Sequence, residues 1–143
     1  MRRRAPQVQL PYTVERANRT LPLVRRIVDD LVACYIEWEA AVSRFEYATT
    51  KSRAENPDPD AERLQAQAQA LAEQVEGFVD ELDELGLECR AFDTGLVDFP
   101  GELDGRPVYF CWMRGERAVE HWHELGAGFS GRQQLHDSEM VRG

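Results

Sequence analysis

Along the first half of the chain, apolar residues return at alternating steps of four and three. Ala17, Leu21, Val24, Val28, Leu31, Tyr35, Trp38, Val42 and Phe45 form one such seam; Leu64, Ala68, Leu71, Val75, Phe78, Leu82 and Leu85 form a second. That spacing keeps a stripe on one side of an α-helix and suits helices packed lengthwise on a partner. Thr13 is placed to cap the first helix ahead of Val14. Pro22 lacks an amide proton and its ring crowds the preceding turn, so the sequence predicts a break near Thr20, with a short helix over about 14–19 and a long one over about 21–52. The polar stretch KSRAENPDPD makes a turn, after which Asp58 caps a second helix with Pro59 at its first position. Gly86 stands where a left-handed helix end is wanted. The expected unit is an antiparallel helical hairpin over about 13–86, each arm on the order of 40–50 Å long.

After Gly86 the period changes. Apolar and charged residues alternate over 87–92, a short apolar run fills 96–99, and a continuous one fills 108–112. Three strands in a small antiparallel meander are predicted, with turns at Asp93, Thr94 and Gly95 and around Gly101, Asp104 and Gly105. Val108, Phe110 and Trp112 would share the face that packs on the hairpin, leaving Tyr109 and Cys111 on the other. A short C-terminal helix is expected over about 116–125, with Ala118, Val119, Trp122 and Leu125 as its apolar side. The fold class predicted is α+β in a single domain, 1–143, the meander and short helix occupying about 87–126 and the ends, 1–11 and 136–143, flexible.

Composition narrows the function classes. The 143 residues carry a net charge of −9, which argues against a nucleic-acid surface, since phosphate binding needs a concentrated basic face. Residues 1–54 hold ten basic side chains against six acidic ones, and residues 55–104 hold two against fifteen, so the chain is internally polarised. Arg2, Arg3 and Arg4 read as a solvated tail. No stretch reaches the run of about 18–20 apolar residues that a membrane helix requires, and the start has no secretory signal, so the expectation is a cytoplasmic protein with no membrane partner. Cys34, Cys89 and Cys111 are widely spaced and odd in number, which fits buried reduced thiols. A two-helix hairpin leaves faces wet, which predicts cover from the C-terminal third and from a second copy in a homodimer.

Candidate chemistry gathers between residues 93 and 132. On the expected short helix, Glu116, Glu120 and His123 would line up on one side, and Glu120 with His123 makes the Glu-x-x-His spacing that aims a carboxylate and an imidazole at one divalent transition metal. His121 would diverge from His123, being two residues away on a helix. Cys111, inside an apolar strand, reads as buried, and no nucleophile motif, phosphate loop or dinucleotide fingerprint is present. Asp98, Arg106, Trp112 and Arg132 are the further candidates for ligand binding. Two readings stand: a non-enzymatic homodimer presenting a polar and aromatic surface to a ligand or partner, and a metal-binding protein, in its strongest form a metal-dependent enzyme. The first asks only for what the spacing shows and is preferred.

Three stretches, YTVERANRTLPLVRRIV, DTGLVDFPGELDGRPVYFCW and GERAVEHWHELGAGFSGR, resemble in sequence and order the motif blocks of the bacterial family catalogued as domain of unknown function 2203. The resemblance runs from Tyr12 to about Leu135. It implies a small cytosolic protein whose notable polar positions match Asp93, Asp98, Arg106, Glu116, His123 and Arg132, and it implies no particular reaction.

Overall fold

In the computed structural model, residues 11–140 are described; the Arg2–Arg4 tail expectation and the outermost ends lie outside them. The predicted hairpin is present. Helix α1 spans Val14–Lys51 and α2 spans Pro59–Glu84. Thr13 caps α1 by accepting from the Arg16 amide, and Asp58 caps α2 by accepting from Asp60. At the end of α2 the Leu87 amide bonds the Leu82 carbonyl and the Gly86 amide bonds Asp83, with Gly86 at φ 77°. That is the Schellman arrangement, and it turns the chain directly into the sheet.

Contrary to the predicted break, α1 runs through Pro22 without interruption. Pro22 lies on the exposed side, where the Asn18 carbonyl that loses its donor can be hydrated, while Leu21 and Val24 are fully packed and hold the helix in line. Thr20 caps nothing; its hydroxyl bonds back to the Arg16 carbonyl.

The seam residues Ala17, Leu21, Val24, Val28 and Leu31 are buried, as are Leu64, Ala68, Leu71, Val75 and Leu82 of α2. A second stripe in α1, Ile27, Cys34, Ala41 and Ala48, is also buried. Three of those four are small, and the Cys34 thiol reaches the Leu71 backbone carbonyl across the seam.

The sheet is an antiparallel meander in the order β1-β2-β3-β4-β5: Glu88–Ala91, Leu96–Leu103, Arg106–Met113, His121–His123 and Gln133–Gln134. The first three strands are those predicted, β2 and β3 being longer. Asp104 (φ 55°) and Gly105 (φ 77°) form the two-residue turn between them, the left-handed pair that matches strand twist. The register follows: Phe99 lies opposite Phe110, Val97 opposite Trp112, and Asp98 opposite Cys111. Val97, Phe99, Val108, Phe110 and Trp112 point at the hairpin and complete one core with it. Tyr12 ties the start of α1 to both layers, its amide bonding the Pro100 carbonyl and its hydroxyl the Leu85 carbonyl.

The helix predicted over 116–125 is replaced by a loop and strand β4; the chain's short C-terminal helix, α3, lies later, at Asp137–Met140. The cause is tertiary. Val119 would need its own amide and carbonyl for a helix, and both are bonded to the Asn18 side chain of α1. Arg25 of α1 also donates to the Arg117 carbonyl, and Arg114 pairs with Asp29 at 2.7 Å. The open edge of β3 then takes β4 as its partner, which buries Trp122 opposite Phe110. The three-residue step from Val119 to Trp122 fits a helix, but in so short a segment it also fits one residue before a strand and one inside it.

Candidate functional site

Strand alternation puts a second, polar layer on the outer face of the sheet. Asp98 and Cys111 are cross-strand neighbours there, as are Cys111 and His121, and Tyr109 and His123. Arg90 joins them from β1, two residues after Glu88, which lies opposite Asp98. On a strand, His121 and His123 therefore share a face, where a helix would have separated them. Residues 124–132 fold back across this layer, with a short turn at Phe129–Gly131.

The centre of the layer is dry. Asp98 is 1 % exposed, His123 2 % and Cys111 0 %, and one donor atom from each lies within 4.8 Å of the others. His123 Nε2 is 2.9 Å from Asp98 Oδ1, and Arg90 Nε donates to Asp98 Oδ2 at 2.9 Å. His123 Nδ1 is 2.7 Å from the Glu124 carbonyl oxygen. A carbonyl can only accept, so Nδ1 carries the proton of the neutral ring. The Nε2 contact to a carboxylate then needs a second proton, or a cation in its place. Tyr109 stacks beside His123 at 5.5 Å between centroids, and the Arg90 guanidinium sits 5.2 Å above the Tyr109 ring.

Burial pushes the Cys111 thiol up to about 12, with Asp98 adding to the rise and Arg132 opposing it. A thiol so placed is a poor nucleophile at neutral pH, and both His123 nitrogens are already committed to Asp98 and the Glu124 carbonyl. The same three donors are a good set for a borderline transition metal: imidazole, thiolate and carboxylate, with the second imidazole nitrogen bonded to a carbonyl, the outer-shell contact that orients metal-bound histidines. A cleft of about 250 Å³ opens onto this centre, lined by Arg90, Leu96, Asp98, His123, Leu125, Gly126, Gly128 and Phe129.

A second cluster stands beside the first. Glu116 accepts from Arg132 and, at 2.7 Å, from the Met113 amide, and Arg132 also donates to the Cys111 carbonyl at 3.2 Å. Burial would raise the Glu116 carboxyl, but the bonds from Arg132 and Met113, with the charges of Arg132 and His121, hold it below its ordinary value. His121 Nδ1 lies 3.7 Å from Glu116 Oε2 and is buried without a hydrogen bond.

Of the residues singled out in sequence, Asp98 and His123 meet directly, and Glu116 meets Arg132. The line of Glu116, Glu120 and His123 is not formed, because the helix that would align them is absent. Glu120 turns away, its carboxylate 3.9 Å from Arg117 and its carbonyl accepting from Leu135. Trp112 is buried in the core beneath the sheet, donating Nε1–H to the Glu116 carbonyl. Arg106 pairs with Glu124 at 2.7 Å and lies over Trp122, away from the outer cleft. Asp93 accepts from the Thr94 amide in an exposed turn. The sequence patterns do not mark Cys111 and Arg90 as site residues, although the alternation that places Phe110 and Trp112 inward puts Cys111 outward. Asp98, one acid inside an apolar run, was the clearest mark of this layer.

Among the described residues no helix is long and apolar enough to cross a membrane. No curated protein and no solved structure matches the chain. The model of the uncharacterised conserved proteins DUF2203 matches residues 11–135, nearly all of the fold and the whole outer layer of the sheet, and the chain belongs to that family.

Proposed function

We propose that this protein binds a divalent transition metal through Asp98, Cys111 and His123. The observation that carries the reading is the convergence of three buried donors of different chemistry within 4.8 Å. Asp98 and His123 already meet through Oδ1 and Nε2, and an ion would take the place of the proton between them, with the Cys111 thiolate as its third ligand. Three protein ligands leave one position of a tetrahedral ion open, as in metal sites that act on a ligand rather than only brace a fold. The set favours zinc, cobalt or iron over magnesium or calcium, which take oxygen ligands. This keeps the metal-binding reading drawn from the sequence and changes its ligands, since Glu116 and Glu120 stand apart from His123.

Metal content of the full chain, purified without an affinity tag and incubated with zinc, tests it. The expected result is one ion per chain, a higher melting temperature, and binding weakened by more than about a hundredfold in Cys111→Ser. Zinc binding that is absent, or equal in Cys111→Ser, overturns the assignment.

The homodimer is proposed as a second feature. Helix α1, at about 57 Å, is roughly twice the length of the eight-residue strands, so part of the hairpin extends past the sheet. On α1, Ile36 (54 % exposed) and Tyr47 (66 %) lie three turns apart on one stripe, a surface that a second copy related by a two-fold axis would cover. Light scattering at micromolar concentration is expected to give twice the chain mass, and Ile36→Lys with Tyr47→Lys to give the monomer; a wild-type monomer overturns this.

A further inference from the structure

Resting on the metal reading above, we propose that the open position of the Asp98–Cys111–His123 centre takes the carboxylate of a small amphiphilic acid, one negative charge on a hydrocarbon body of a few carbons. The cleft over the centre has a polar floor and apolar walls. Asp98 and His123 form its base, Arg90 one side, and Leu96, Leu125 and Phe129 the rest of its side-chain surface. Its volume of about 250 Å³ holds on the order of eight water-sized groups, the size of a six-carbon acid rather than a nucleotide.

The walls are unusual for this molecule. Leu125 and Phe129, 52 % and 47 % exposed, are two of the five large exposed hydrophobic residues among those described, and both flank this one cleft. Exposed apolar side chains gathered around a concave polar centre are the pattern of a ligand site. Gly126 and Gly128 complete the rim, and a Cβ built at either would meet nothing within 4 Å, so the mouth stays open.

Charge selects the head group. A divalent ion held by one carboxylate and one thiolate is neutral, and Arg90 beside it adds a positive charge. The Arg90 bonds to Asp98 and Glu88 use Nε and Nη1, and Nη2 is left for a ligand oxygen. Glu88 is more than half exposed, so solvent screens much of its charge, while the metal and Arg90 face the cleft. A carboxylate can place one oxygen on the ion and the other toward the guanidinium. A phosphate dianion would overshoot the charge and waste the apolar walls.

The test uses the full chain loaded with cobalt(II), whose thiolate charge-transfer and ligand-field bands report the thiolate bond and the fourth ligand separately. Hexanoate is expected to shift the ligand-field bands saturably, hexanamide to leave them unchanged, and acetate to bind at least about tenfold more weakly for want of four methylenes. Phe129→Ala is expected to weaken hexanoate by about five- to tenfold with the charge-transfer band intact. The inference is overturned by a cobalt–thiolate protein that ignores hexanoate, answers hexanamide or acetate equally, responds to inorganic phosphate instead, or binds hexanoate unchanged in Phe129→Ala. Absence of the charge-transfer band itself ends the metal reading, which separates the two failures.

Discussion

The side-chain amide of Asn18 pairs with the backbone of Val119 as a strand would: Nδ2 donates to the carbonyl at 3.2 Å and Oδ1 accepts from the amide at 2.7 Å. One side chain of α1 thereby holds the segment that leads into β4, and with it the position of His123.

Asn18→Ala removes both bonds and leaves the Val119 amide and carbonyl unmet in a buried setting. The expected cost is about 1–3 kcal/mol, read as a lower urea midpoint with an unchanged slope. An unaltered midpoint would show that water replaces the amide without loss.

Both helices of the hairpin are legible in the sequence because a heptad seam is a long signal: seven residues from Leu64 to Leu85 carry it, so no single residue decides. The segment around Val119 is not. Its few apolar residues fit a helix or a strand, and the choice was made by Asn18, about a hundred residues earlier, through contacts that local spacing does not encode. The site shared that fate. Asp98 and His123 stand out in the sequence as polar residues, but their meeting depends on β4 being a strand. Cys111 reads as buried from its sequence and is buried, but burial beside other buried donors has a different meaning from burial among hydrocarbons.

The Glu116 carboxyl sits below its ordinary value of 4.5, so its pairing with Arg132 adds stability that is fully present above that value and is lost as pH falls through the lower folded value. Melting temperatures followed from about pH 6 to about pH 3 should show an acid limb that is shallower in Glu116→Gln. At neutral pH the same variant is expected to lose on the order of 1 kcal/mol, since its amide can still accept from Met113. Parallel acid limbs in the two proteins would refute this role for the pair.

Two glycine substitutions should act in opposite directions. A Cβ at Gly101 would lie 2.3 Å from Phe110 Cε2 and 2.7 Å from the Tyr12 carbonyl oxygen, so Gly101→Ala must displace a fully packed ring or the backbone, at about 1–3 kcal/mol. Gly77 is inside α2 with nothing within 4 Å, and Gly77→Ala should stabilise by about 0.5–1 kcal/mol. Chemical denaturation of the two variants side by side checks both signs.

Burial raises all three thiols, Cys89 to about 11 and Cys111 to about 12. Ellman's reagent at neutral pH should therefore label the native protein far more slowly than the unfolded chain, with Cys111 last. Rapid native labelling at Cys111, located by peptide mass mapping, would contradict its enclosure.

The turn at Asp104 and Gly105 decides more than where two strands meet. Because it contains two residues, the even positions of β3 face the helices and the odd ones face away, while in β2 the assignment is reversed. A slip of the pairing by a single residue would invert that parity for one strand, sending Asp98 or Cys111 toward the oily interior and a phenylalanine into the cleft. The chemistry of the outer layer is thus an odd-and-even property of the chain, set by a turn that takes no part in it.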